Sequence, residues 1–299
     1  MTTTGARPDA PSTRMAPPKR RETHVVRGRI AVVLKYASLI VAAVVTLIPL
    51  AAIVMTSFKT RQEYLTSGPL DAPVNWFNFE NFVTAFTRGN MLLGFGNTAF
   101  VLIVSLAGTI LIGSMTAYAI DRFDFRFKKV VIALFLLATL VPGVTTQVAT
   151  FQIVIGLGLY NSYAAPIALF LGTDIISIYI FVQFMQSIPK DVDEAAMLDG
   201  ANRFTIYWRV ILPLLKPAIA TVVIIKGIAI YNEFYIPFLY MPSEKLAMIS
   251  TALFRFKGPF GSQWEVISAG ALIVIIPTVV IFIILQRYIY NGFTQGATK

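Results

Sequence analysis

The sequence predicts an all-α membrane protein of six transmembrane helices that carries one helix-turn-helix on its cytoplasmic side. Three observations predict it. Of 299 residues, 56% are hydrophobic and only 13% charged, against roughly 45–50% and about 25% in ordinary soluble domains. Six apolar runs approach the about 20 residues that a bilayer-spanning helix needs. The segments joining them alternate between many and few Lys and Arg, as in a chain threaded back and forth through a membrane.

Residues 1–29, rich in Thr, Pro and Arg, have too little apolar content to pack and read as a disordered basic tail. Residues 30–299 read as the six-span domain. The apolar run over 30–58 is far longer than a signal core of about 7–15 residues, which argues against a cleavable signal. The spans fall at 37–55, 98–120, 130–152, 164–185, 218–240 and 266–285. Pro49, Pro142 with Gly143, Pro166, Pro237 and Pro277 interrupt five of them. Such breakers need neighbouring helices to satisfy the freed backbone groups, which favours a bundle lining a cavity. In the second span Ser105, Gly108, Thr109, Gly113 and Ser114 permit close helix approach. The run 108–114 lacks a phosphate-loop lysine and lies mid-span, so nucleotide binding there is not expected.

Eighteen of the 25 Lys and Arg lie in the tail with Lys35 just after it, in 121–129, in 186–217 and at the C-terminus; six lie in the alternate segments and Lys226 lies within a span. Both termini are therefore expected in the cytoplasm. The formal net charge of +10 falls entirely on the cytoplasmic segments. A balance that would suggest nucleic acid in a soluble chain is here a topology signal, and no nucleic-acid partner is expected. The absence of Cys and the single histidine, His24, exclude disulfides, thiol catalysis and histidine-cluster metal sites, and leave only a tail residue as the base of any Ser-His-Asp triad.

The loop 186–217 is the most informative stretch. Pro189 suits a first helical turn, and Asp191, Asp193 and Glu194 put negative charge where the helix dipole favours it. Gly200 ends that helix. Phe204, Tyr207, Trp208 and Ile211 recur at helical spacing, predicting a second amphipathic helix over 203–212 before Pro213. By its pattern alone such a loop could also lie in the lipid interface.

Glu194-Ala195-Ala196, then Asp199-Gly200-Ala201, then Leu212-Pro213, resembles the EAA loop of binding-protein-dependent ABC importer permeases. Ser187-Ile188-Pro189, Tyr231-Asn232-Glu233 and the ending Leu285 to Ala297 are similar to the carbohydrate-uptake branch, and within it to the smaller six-span subunit of the MalG type. The middle tract departs from the common Trp-Asn-Asp at its first and third positions. The resemblance implies a multi-pass subunit of a bacterial or archaeal cytoplasmic membrane that is not an enzyme. It implies as partners a second permease subunit in a heterodimer, two ATPase subunits, an extracytoplasmic sugar-binding protein and membrane lipid. ATP and magnesium belong to the ATPase, and no cofactor to this chain. The ATPase cleft is expected to receive Glu194 as charged contact, Ala195 for close packing, Asp199 as cap and Gly200 as turn, with Ala196, Ala201 and Pro213 completing the motif. The tail Gly296, Ala297, Thr298 and Lys299 is expected along the ATPase interface. The external loop 254–262 is expected to probe the binding protein's sugar site, although its Phe254, Phe256 and Phe260 equally suit an interfacial aromatic belt.

Asp174, Lys226 and Glu233 fall inside spans, where an ionisable group costs at least about 2.5–3.5 kcal/mol and must pair or face a cavity. Counted at 1.5 Å per residue from the loop, Asp174 lies about 18 Å deep and Lys226 about 13.5 Å, so the two are expected to pair. Tyr231, Asn232 and Glu233 offer the ring and polar groups that sugar recognition needs, or else hold helices together. The five residues Asp174, Lys226, Tyr231, Asn232 and Glu233 are the candidates for a translocation pathway. With Lys226 the only basic residue there, a neutral di- or oligosaccharide is expected; glycerol phosphate is an alternative solute and a secondary carrier an alternative class.

Overall fold

The computed structural model of the chain describes residues 22–297 other than 144, 173, 259 and 260, and the side chains of residues 32–284 among them. The tail expected over 1–29 lies outside the described residues as far as residue 21, and from residue 22 it is helical instead. The chain divides into two units, residues 1–52 and 53–299. The first holds, in its described part, residues 22–52 of the helix α1 (Glu22–Ser57), whose last five residues belong to the second. Its apolar side chains from Val32 to Leu50 are exposed on every side, as befits a solvent of hydrocarbon.

In the second unit α2 (Arg61–Thr66) starts with a reciprocal capping box between Thr60 and Glu63, and α3 (Glu80–Arg88) follows. The central element is α4 (Met91–Arg122). Then come α5 (Lys128–Leu140), α6 (Gln147–Gly156), α7 (Ala164–Leu171), α8 (Ile175–Gln186) and α9 (Asp191–Leu198). A helix of three pieces follows: α10 (Arg203–Ile206), a π-turn over Tyr207–Ile211, and α11 (Leu212–Leu214). It leads to α12 (Lys216–Asn232), α13 (Tyr235–Tyr240), α14 (Ile249–Ala252), a two-residue hairpin of β1 (Lys257–Gly258) and β2 (Gly261–Ser262), and α15 (Trp264–Ala297).

Among the described residues, three helices are long and apolar enough to cross a membrane: α1, α4 and α15 up to Ile284. Two bent pairs raise the number to five, α7 with α8 at 44° and α10–α11 with α12 at 70°. The span expected over 130–152 is not continuous. It is α5 and α6, separated by the Pro142-Gly143 break, and neither alone covers a hydrocarbon core of about 30 Å. The expected span at 164–185 is likewise broken at 172–174, and that at 218–240 at 233–234.

Helix α4 packs against α7, α8, α12 and α14. Its small residues permit this: a Cβ on Gly113 would stand 3.1 Å from the ring of Phe181 on α8, and one on Gly94 3.3 Å from the Ile249 backbone. The hydroxyls of Ser105 and Thr109 on the same helix are buried with no hydrogen-bond partner among the described residues. Near its start, Asn97 donates to the carbonyls of Lys245 and Ala247 at 3.0 and 2.9 Å and accepts from the Tyr163 hydroxyl. Thr98 accepts from the backbone N–H of Ile249. Gly113→Leu is expected to cost about 1–3 kcal/mol through overpacking against Phe181. Gly96→Leu, where nothing lies within 4 Å, should leave thermal unfolding in detergent unchanged.

Candidate functional site

The loop 186–217 is built on a buried ion pair. Arg122 ends α4 with a side chain only 3% exposed, and its Nε donates to Asp193 Oδ2 at 2.9 Å. Its other nitrogens reach the Ile188 carbonyl at 2.9 Å and the neighbouring Asp121 carboxylate. Asp193 therefore does more than favour the helix dipole: it is buried, also accepts from the Tyr118 hydroxyl at 3.4 Å, and ties α9 to α4. Beneath it Ala117, Tyr118, Phe181, Met185, Ile206, Tyr207 and Ile211 form one apolar cluster. Ser114 gives its hydrogen to the Ile110 carbonyl, so Tyr207 is the donor in the 2.8 Å contact between their hydroxyls.

The turn is a Schellman motif. Gly200 adopts φ +84°, its N–H donates to Met197 O, and that of Ala201 to Ala196 O, both at 3.0 Å. Asp199 occupies the C-cap by its backbone, and the side-chain cap of the second helix comes from Asn202, which accepts from Thr205 N at 2.8 Å. Ala196 and Ala201 pack inward, while Glu194 and Ala195 are exposed. The second helix does not stop before Pro213 but runs to Leu214. Proline has no N–H to donate, and the π-turn, in which Leu212 N–H reaches Tyr207 O, absorbs the change of register just before it. Outward from this support stand Leu198, 90% exposed, Phe204, 65%, and Trp208, 40%.

The three ionisable groups of the spans are all engaged. Lys226 Nζ lies 2.9 Å from Asp174 Oδ2, both side chains largely buried, so the expected pair forms. Asp174 is not mid-helix, however; it sits at the break before α8 and caps it, accepting from Ser177 N at 3.3 Å and Ser177 Oγ at 2.8 Å. Glu233 lies at the break after α12 and accepts from the N–H groups of Tyr235 and Ile236 at 2.8 and 3.2 Å, capping α13. Each carboxylate thus meets the positive end of a half-helix. Tyr231 donates to Val274 O on α15 at 2.9 Å, and Asn232 to Ile228 O one turn back. Of the tail candidates, Gly296 and Ala297 end α15, and Thr298 and Lys299 lie outside the described residues. Among the described residues no cluster of His, Cys, Asp or Glu could hold a metal ion.

Two clefts accompany these helices. One, of about 360 Å³, is apolar and lies between α4, α12 and α15, with Leu102, Ile224, Tyr231 and Phe282 in its walls. The other, of about 320 Å³, lies beyond the far end of α12, with Phe238, Glu244, Thr251, Phe254 and Arg255 in its lining.

Residues 109–295 match the family model described as "binding-protein-dependent transport system inner membrane component". The chain is 30% identical over 256 residues to the melibiose/raffinose/stachyose import permease protein MelC of Bacillus subtilis, covering 84% of this chain and 91% of that one. It is 29% identical over 259 residues to the arabinooligosaccharides transport system permease protein AraQ of Halalkalibacterium halodurans, covering 86% and 92%. In fold it is similar to a chain of a bacterial ABC transporter involved in the import of the acidic polysaccharide alginate, with TM-score 0.76, 20% identity, and 91% and 99% coverage.

Removing one partner of a buried ion pair leaves the other charge unpaired, at about 3–5 kcal/mol. Asp193→Ala is expected to cost that much and to open residues 186–217 to protease. Arg122→Met with Asp193→Leu should recover most of the loss. By the same logic Asp174→Ala destabilises and a second change, Lys226→Ala, restores part of the loss; additive effects in thermal unfolding would contradict the pairing.

Proposed function

We propose that this chain, which belongs to the family of binding-protein-dependent transport system inner membrane components, moves a neutral di- or oligosaccharide inward by rocking as a rigid body with a separate ATPase docked on its 186–217 loop. The chain is the permease component of an ABC sugar-import system and is not itself an enzyme; ATP and magnesium are handled by another subunit. The finer reading is a MalG-type subunit of six spans, counting α5 with α6 as one. It has both termini in the cytoplasm, pairs with a second permease in a heterodimer, and is served by two ATPase copies and an extracytoplasmic sugar-binding protein.

The observation that carries the coupling is the combination of a clamped base and an open tip. Arg122 and Asp193 hold α9 to the long helix α4, while Leu198, Phe204 and Trp208 stand exposed beside Glu194 and Ala195. Apolar anchors of this kind, held on a rigid support, suit a pocket on a partner. Gly200 gives the turn, and the 70° bend between α11 and α12 passes the partner's motion to the membrane helices. Gly296, Ala297, Thr298 and Lys299 extend the same interface. Asp174, Lys226, Tyr231, Asn232 and Glu233 border the pathway chiefly by holding its broken helices in place. The charge of Lys226 is cancelled by Asp174, which favours a neutral cargo over glycerol phosphate.

Proteoliposomes holding this chain, its partner permease, the ATPase and the binding protein should take up raffinose or maltotriose only with ATP. Uptake that persists without the ATPase would point to a secondary carrier instead. Leu198→Asp with Phe204→Asp is expected to lose about 2 kcal/mol or more of docking, roughly thirty-fold, and to abolish uptake while the two permeases still copurify.

A further inference from the structure

The geometry points to a binding site for a single ring of a neutral saccharide in the cleft beyond α12, at the end of the chain opposite the 186–217 loop. The inference rests on the reading of the chain as a saccharide permease, and it places a sugar contact on this chain itself, at residues other than Tyr231, Asn232 and Glu233. The cleft's volume of about 320 Å³ lies at the low end of the roughly 300–1,000 Å³ found for small-molecule sites.

Its walls carry the two chemistries a sugar demands. Phe238 and Phe254 meet edge to face, with ring centroids 4.9 Å apart at 67°. Phe234 stacks behind Phe238 at 5.2 Å and 18° and so fixes its plane. Both lining rings remain about 40% exposed. They face water rather than hydrocarbon, because Glu244 in the same lining has a side chain 77% exposed. The exposed parts of the two rings offer apolar contact to the C–H groups of a pyranose. Beside the rings, Arg255 donates to Glu244 O at 3.0 Å and its other terminal nitrogen lies 3.5 Å from Glu244 Oε2. A guanidinium has five donors, so these contacts orient it and leave donors over for hydroxyls, with the Glu244 carboxylate as the matching acceptor. The two charges cancel, which selects a neutral ring and disfavours a uronate. Lys257 stands outside the lining, its ammonium held against the rings of Phe254 and Trp264 at 5.3 and 5.8 Å.

The support is equally specific. Glu233 caps the helix that bears Phe238, and Ser250 donates to Glu233 O at 2.7 Å, joining that helix to the one before Phe254. The Tyr231-Asn232-Glu233 tract thus positions the rings instead of touching the sugar. The cleft between α4, α12 and α15 has, among the described residues, no charged group in its lining, which is almost wholly apolar.

The test uses the complete transporter in lipid nanodiscs, with diazirine derivatives of raffinose, maltotriose and arabinotriose as photoprobes and ATP-driven uptake of the same three sugars measured in parallel. The expected result is labelling within residues 234–255 by a sugar that is taken up, competed by the unmodified sugar and not by digalacturonate. Phe254→Ala and Glu244→Gln should each reduce labelling about ten-fold, the second without altering the cleft's shape. Uptake of a sugar whose label maps elsewhere, or is unchanged in Glu244→Gln, overturns the site and leaves the transport reading standing. No ATP-driven uptake of any of the three overturns the transport reading and the site with it.

Discussion

A guanidinium with almost no access to water must direct its donors to whatever the fold brings to it, and at the end of α4 that is Asp193. Two charges desolvated together are stable only if each is fully engaged. Here the carboxylate accepts from Arg122 and Tyr118 while Arg122 also holds Ile188 O. The pair sets how the 186–217 loop leaves the membrane helices. Without it α9 would be eight residues joined by flexible turns, too short to hold a helix by itself. With it, α9 extends the body of α4, and the apolar cluster around Tyr118 and Tyr207 closes beneath.

The same demand for satisfied polar groups explains the broken helices. A backbone N–H freed inside hydrocarbon is costly, and a break is tolerated only where a side chain takes up the exposed donors. Asp174 does this for α8 and Glu233 for α13, each carboxylate gaining from the positive end of the half-helix it caps. Asp174 is further neutralised by Lys226. The acidic residues of the spans are thus the means by which the helices are interrupted, and the interruptions in turn shape the cleft that α13 and α14 enclose.

Seen along α12, the molecule has a mechanical end and a chemical end. At one stands an apolar tip on a clamped base; at the other, paired rings and a compensated Arg–Glu pair. A helix of 17 residues, about 25 Å long, joins them. In the proposed mechanism a tilt imposed at the loop therefore displaces the far cleft as well, because packed helices move as units and do not deform continuously.

Much was legible in the sequence. Composition and charge alternation establish a multi-span membrane protein; Gly200 marks its turn because only a residue without Cβ enters φ +84° without strain; and depth counting alone brings Asp174 to Lys226. These signals are local, or depend on a single coordinate along the membrane normal. Tertiary structure alone decided the rest. Arg122 and Asp193 stand 71 residues apart, and in sequence the first is one more loop cation and the second one more acidic residue in a first helical turn. Which of three neighbouring acids turns inward depends on the face α9 presents to α4. Phe238, Phe254, Arg255 and Glu244 likewise meet only after the chain turns back between α13 and α14. Periodicity, caps and charge counts act over a few residues, whereas a buried pair or a shared cleft is selected by which helix faces meet.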